Sequence, residues 1–299
     1  MLKLENVTKY YGKIKAVDNL SFTVNKGEIF GVLGVNGAGK TTTFRMIMGL
    51  LSPTEGSVTL NDLPIDYSVT DKIGFLTEER SLLTKLTVEE QVIYYGTLKG
   101  MPKEEILDKL DYWLKRFDIT EYKKRKIKEL SKGNQQKVQF ITAIIHSPEL
   151  LLLDEPFTGL DPVNVLLFMS VIRELQRNGS MIIFSSHRME HVELFCENLI
   201  ILKNGKTVLS GNLKEIKKNY QKQIIHLKAD ITKEELEHIK GVLSVEQDYL
   251  EYKVKIESNL YVKDVFKTIK NHSNVTKFLV EEASLNEIFL NKVGEAYEK

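Results

Sequence analysis

No run of about 18 apolar residues occurs anywhere in the 299-residue chain, so none of its helices is expected to span a bilayer. A single cysteine, Cys196, excludes a disulfide framework within the chain and fits a reducing compartment. It sits in Val192-Glu193-Leu194-Phe195-Cys196, a stretch that reads as core filling and not as a reactive thiol. An excess of one charge is also lacking. The 42 Lys and Arg face 41 Asp and Glu, and a net charge of +1 gives no electrostatic reason to expect nucleic-acid binding. Lysines are frequent in the last third, but glutamate and apolar residues interleave them, as on a solvated face. The opening Leu2-Lys3-Leu4-Glu5-Asn6-Val7 alternates like a strand and lacks the apolar run of a signal peptide. A cytoplasmic chain is expected, with any membrane role exercised through a partner.

What is present is enough apolar residue, 42%, to bury a large core. Up to about Leu33 the chain alternates like β-strands, and Glu28-Ile29-Phe30-Gly31-Val32-Leu33 runs into a glycine-rich loop. A helix from Lys40 to Met48 follows and closes at Gly49. The middle reads as helical: Thr87-Val88-Glu89-Glu90 is a capping box whose helix ends near Gly100. Pro102 suits the start of the next helix, with Ile106, Leu110, Trp113, Leu114 and Phe117 at helical spacing. After about Thr142, Leu150-Leu151-Leu152-Leu153 and Met181-Ile182-Ile183-Phe184 read as buried parallel strands.

From about Asn212 the pattern changes. Leu250, Tyr252, Val254 and Ile256 alternate with Glu251, Lys253 and Lys255, predicting a half-buried antiparallel strand. Val262, Val265, Phe266 and Ile269 predict a helical face, Val275 to Val280 a further strand, and Ser284-Leu285-Asn286-Glu287 a second capping box. Residues 1–211 are expected to form one domain, with a helical part at about 80–145, and residues 212–299 a small α+β domain. A β-α-β-β-α-β unit fits the latter.

Gly34-Val35-Asn36-Gly37-Ala38-Gly39-Lys40-Thr41 matches the phosphate-binding loop, in its required setting between strand and helix. Glycines let backbone N–H groups turn toward phosphate oxygens, and the helix N-terminus adds partial positive charge. Lys40 is expected on the β- and γ-phosphates, and the Thr41 hydroxyl on Mg²⁺; Thr42 follows on the same helix start. The leucine strand ends in Asp154-Glu155, where Asp154 can hold Mg²⁺ through water and Glu155 can orient or deprotonate the attacking water.

With these motifs in order, residues from 1 to about 220 resemble the nucleotide-binding subunit of an ATP-binding cassette (ABC) transporter. Leu130-Ser131-Lys132-Gly133-Asn134-Gln135-Gln136 is similar to the family signature LSGGQ, departing from it at Lys132 and Asn134. The resemblance implies that Ser131 and Gly133 touch a γ-phosphate bound by a second protomer. It also implies that Asp161, in Gly159-Leu160-Asp161, links two sites across a dimer. His187, 32 residues after Glu155, matches the switch histidine, which implies hydrogen bonds to the γ-phosphate and to water. Tyr11 matches the adenine-stacking aromatic, with Tyr10 as the neighbouring alternative. Where the family carries glutamine, this sequence has Glu78, with Glu79 as the fallback. A carboxylate there can still bind Mg²⁺ but, when ionised, cannot donate a hydrogen bond.

Implied, then, are a P-loop α/β cassette that binds ATP and Mg²⁺ and hydrolyses ATP, a second cassette, identical or a paralogue, as partner, separate transmembrane permease subunits, and a place on the inner face of the cell membrane. Ser284-Leu285-Asn286-Glu287-Ile288-Phe289 is similar to the extension on bacterial ABC-2-type exporter subunits for sodium, antibiotic or peptide export. A ribosome- or DNA-acting ABC ATPase fits less well. The chain has a single phosphate loop, and no sustained heptad run marks an inserted coiled coil. A regulatory, non-catalytic cassette would need losses at Lys40, Glu155 or His187, and all three are present.

Overall fold

The structure is a computed structural model that describes residues 1–294 apart from 80, 187, 221–222, 271, 273 and 282. The chain forms two compact units, Met1–Asn212 and Leu213–Lys299.

In the first unit, β1 (Leu2–Tyr11) and β2 (Ile14–Val24) form a hairpin, extended by β4 (Glu55–Leu60) and the short β5 (Leu63–Pro64) in the order β2-β1-β4-β5. Alternation puts Leu2 and Leu4 inside, and register shifts along the β1–β2 hairpin bring Val17, Leu20 and Val24 inside as well, all 1% exposed or less. The second sheet is built from β3 (Ile29–Gly34), β6 (Ile73–Leu76), β7 (Leu150–Asp154), β8 (Met181–Ser186), β9 (Asn198–Lys203) and β10 (Lys206–Asn212). Its order is β10-β9-β3-β8-β7-β6, parallel throughout except for the β9–β10 hairpin. Strands buried on both faces need no alternation, which is why β7 opens with four consecutive leucines, all 0% exposed. Burying each leucine stabilises the fold by roughly 1.5–3 kcal/mol, enough to make β7 a rigid support for the two carboxylates at its end.

The helices of this unit are α1 (Lys40–Ile47), α2 (Val88–Leu98), α3 (Lys103–Arg116), α4 (Lys132–Ile144), α5 (Pro162–Arg177) and α6 (Met189–Phe195). Thr87 caps α2 in a full capping box with Glu90, and Gly100 adopts φ 76° just past its end, so the chain leaves the helix as read from sequence. Trp113 is buried on α3, and Phe117 packs edge-on against Phe140 of α4 and Phe168 of α5, with ring centroids 5.7 and 5.3 Å away. Cys196 is buried, and burial pushes its thiol pKa up, as expected of a core residue. Among the described residues no helix is long and apolar enough to cross a membrane.

The second unit contains α7 (Leu213–Asn219), β11 (Ile224–Lys228), α8 (Lys233–Glu237), β12 (Val242–Asp248), β13 (Glu251–Ile256), α9 (Val262–Ile269), β14 (Lys277–Val280) and α10 (Leu285–Gly294). Its strands pair antiparallel in the order β12-β13-β11-β14, the β-α-β-β-α-β topology. Ile225, Leu227, Val254, Ile256, Val265 and Ile269 form its core, all 0% exposed. Three residues depart from the sequence pattern, one of them Val275, which precedes β14 and is 40% exposed. Leu250 belongs to the β12–β13 turn and is 73% exposed, and Phe266 lies at the edge of α9, 51% exposed, with its ring against Phe278.

Candidate active site

β3 delivers the glycine-rich loop from a strand with every residue buried. At Gly39 the backbone turns through φ 107°, and a Cβ there would stand 2.8 Å from the carbonyl of Ala16, so only glycine fits. Gly37, at φ 80°, faces open space, so that its backbone can be approached closely. No side chain caps the first turn of α1, which leaves its N–H groups available to an anion. Lys40 is 9% exposed and donates to the carbonyls of Gly34 at 2.6 Å and Val35 at 3.3 Å. Burial lowers its pKa, opposed by the negative charges of Glu155, Asp154 and Glu78.

An open cleft of about 650 Å³ lies over this loop. Asn36, Gly37, Ala38, Gly39, Lys40, Thr41 and Thr42 form one wall, and Glu78, Asp154 and Glu155 contribute the carboxylates. Asp154 and Glu155 are 8% and 7% exposed. Asp154 stands opposite Ser185 in the parallel β7–β8 register and accepts a hydrogen bond from its hydroxyl. Burial raises the Asp154 pKa, while the Ser185 hydroxyl and Lys40 lower it. Glu155 leaves the strand at φ 49°, a conformation that costs a non-glycine residue on the order of 1–3 kcal/mol. Its N–H donates to the Ser185 carbonyl at 3.2 Å, and its Oε2 accepts from the Ser186 hydroxyl at 3.3 Å.

Glu78 follows β6, the neighbour of β7, and is exposed to the cleft; Glu79 is not part of the cleft wall. A buried amide holds this loop: Gln139 Nε2 on α4 donates to the Thr77 carbonyl, the Thr77 hydroxyl and the Glu79 carbonyl at 3.1–3.2 Å. Sequence reasoning missed Gln139, Ser185 and Ser186. The available signal was a polar side chain inside an apolar stretch, Val138-Gln139-Phe140-Ile141, and two serines ending an apolar strand.

Other predicted residues lie elsewhere. Tyr11 ends β1 at a hairpin turn, 44% exposed, and is not among the cleft-lining residues, nor is Tyr10. Ser131 caps α4 by accepting from Asn134 N–H at 3.3 Å, and Asp161 caps α5 by accepting from Asn164 N–H at 2.9 Å. Ser131 and Asp161 are both exposed, and neither they nor Gly133 line the cleft. The two helix starts adjoin, since a Cβ at Gly133 would meet Asn164 Nδ2 at 4.0 Å. His187 lies outside the described residues.

A family profile described as ABC transporter matches residues 17–158, and one described as the C-terminal domain of DrrA1-3-like ATP-binding proteins matches residues 211–293. Across 298 residues, 100% of each chain, the sequence is 48% identical to the uncharacterized ABC transporter ATP-binding protein YhaQ of Bacillus subtilis. The chain belongs to the family of ABC transporter ATP-binding proteins. It is similar also to the linearmycin resistance ATP-binding protein LnrL of Bacillus subtilis, 32% identical with 98% of each chain covered. Among solved structures it resembles the dimeric post-hydrolysis state of the ATP-binding cassette MJ0796 bound to ADP and Pi. That match has a TM-score of 0.65 and 29% identity, over 71% of this chain and 99% of the other.

As an ABC cassette the chain is an ATPase with a P-loop α/β fold. Its own residues fit a nucleotide: an uncapped helix start, a buried ammonium and a bare glycine backbone converge on one wall. Carboxylates and the Thr41 hydroxyl are hard oxygen donors of the kind Mg²⁺ takes.

Proposed function

We propose that this chain is the ATP-driven motor of a bacterial exporter, working as a head-to-tail dimer around two ATP molecules and moving separate membrane subunits. One observation carries the reading: the residues for a complete site are divided between two surfaces of one chain. Lys40, Asp154 and Glu155 share the cleft, while Ser131, Gly133 and Asp161 sit at the adjoining starts of α4 and α5, outside it. A second copy turned head to tail supplies the missing surface to each cleft.

In this reading the loop N–H groups and Lys40 bind the β- and γ-phosphates. Tyr11 extends toward the base from the hairpin. Thr41, Asp154 and Glu78 would hold Mg²⁺, which would supply positive charge against the phosphates. Glu155 and His187 orient the attacking water, and Glu155 takes its proton as the new O–P bond forms and ADP leaves. Ser131 and Gly133 of the second copy hold the γ-phosphate, so losing that phosphate loosens the dimer.

Support for membrane partners comes from an apolar cavity of about 360 Å³ lined by Leu50, Phe75, Tyr95, Leu98 and Gln139. Gln139 also holds the loop that carries Glu78, so a helix seated in the cavity is mechanically linked to the cleft. Export is favoured by the DrrA1-3-like match and by the similarity to a resistance protein. Such a motor acts on the inner face of the membrane, because its permease spans the bilayer for it. The test is light scattering of Glu155→Gln with and without MgATP: a dimer with nucleotide and a monomer without is expected. A monomer under both conditions contradicts the proposal.

A further inference from the structure

β8 ends in two buried serines, Ser185 and Ser186, 0% and 2% exposed. Ser185 serves Asp154; Ser186 has a different geometry. Its Oγ accepts the Arg188 backbone N–H at 3.0 Å and donates to Glu155 Oε2 at 3.3 Å. A hydroxyl has one proton and two lone pairs. The arriving N–H occupies a lone pair, so the rotor is fixed and the proton points away from Arg188, toward the carboxylate. The Glu155 backbone is held in turn, since its N–H donates to the Ser185 carbonyl on the same strand end. The orientation of the Glu155 carboxylate is thereby tied to the backbone just after β8.

We propose that Ser186 is a positioning residue for ATP hydrolysis: it sets the orientation of the Glu155 carboxylate and passes movement of the backbone at Arg188 to it. This rests on the reading of Glu155 as the group that orients the attacking water. The bond to Glu155 is the longer of the two at 3.3 Å, beyond the roughly 2.5–3.0 Å usual for a hydroxyl donor, so a shift of a few tenths of an ångström strengthens or breaks it. A small displacement after β8 therefore changes the hold that Ser186 has on the carboxylate. Ser186 does not line the cleft, so its loss acts on turnover and not on nucleotide capture.

The test compares steady-state ATPase kinetics of Ser186→Ala, Ser186→Thr, Glu155→Gln and the Glu155→Gln/Ser186→Ala double variant, each checked for native melting. Misplacing a catalytic group by about an ångström costs up to ~100-fold, so Ser186→Ala is expected to lower kcat ~10- to 100-fold. KM for ATP should stay within ~2-fold, since uniform binding is untouched. Ser186→Thr keeps the hydroxyl and should recover kcat to within ~3-fold of wild type. In single-turnover hydrolysis, adding Ser186→Ala to Glu155→Gln should cause no further loss, because both act through one carboxylate. Wild-type kcat in folded Ser186→Ala, a threonine variant as slow as alanine, or an additive loss in the double variant each overturns the proposal. If Glu155→Gln itself turns over at the wild-type rate, the reading of Glu155 falls first and the role of Ser186 with it.

Discussion

The ammonium of Lys40 donates to the carbonyl of Gly34 at 2.6 Å, across the loop that joins β3 to α1. The lysine thus occupies its own loop, satisfied by backbone acceptors while buried. A phosphate is a stronger acceptor than either carbonyl, and binding exchanges neutral partners for charged ones. Lys40→Ala is expected to weaken ATP binding ~10- to 100-fold, the worth of a charged hydrogen bond. Titration with a fluorescent ATP analogue measures it; undiminished affinity means the loop does not bind phosphate as proposed.

Glu78 is exposed at the cleft, in reach of the charge on Lys40. Changing it to glutamine removes one negative charge and restores an N–H donor without touching the core. Glu78→Gln should melt within a few degrees of wild type but alter the ATPase rate or its Mg²⁺ dependence. Identical rates across a Mg²⁺ titration would leave Glu78 without a metal role.

His146 gives the cassette a pH dependence unrelated to the cleft. Its Nε2 lies 3.2 Å from the Ile73 carbonyl, and burial, helped by the charge of Lys99, pushes its pKa down to about 4. A folded-state pKa below the unfolded value near 6.5 means that the unfolded chain takes up a proton that the folded chain refuses. Stability is therefore full above about pH 6.5 and falls as pH drops toward 4, by roughly 3 kcal/mol at most. Urea unfolding followed through Trp113 should show wild type losing more stability between pH 7 and pH 5 than His146→Gln does. Equal losses would contradict the assignment.

How far the sequence disclosed this molecule depends on the range of the interactions. Local chemistry was legible. Thr87 with Glu90, Ser284 with Glu287 and the four leucines of β7 mark their elements because caps and apolar runs act within a few residues. The glycine-rich loop between strand and helix was legible too, and the structure brings Lys40 into one cleft with Asp154 and Glu155, more than a hundred residues further along the chain. Non-local pairing was not. The order β10-β9-β3-β8-β7-β6 is decided by contacts between distant segments, and no short pattern encodes it. For the same reason the serines facing the carboxylates and Gln139 behind the Glu78 loop became visible only in three dimensions. Leu250 was misjudged because strict alternation runs on into a turn, where Tyr249 takes φ 52° and the strand is interrupted.

The central claim is that each site is shared between two chains, and mixing two inactive variants tests it most directly. Lys40→Ala has a defective cleft and an intact Ser131 surface, while Ser131→Arg has the reverse. In a mixed dimer, the cleft of the Ser131→Arg chain meets the intact Ser131 of the Lys40→Ala chain, so one sound site forms. The account predicts that ATPase activity, absent in either variant alone, returns on mixing in proportion to mixed dimer. Full activity of Ser131→Arg by itself, or no recovery in a mixture shown to contain mixed dimer, would contradict it.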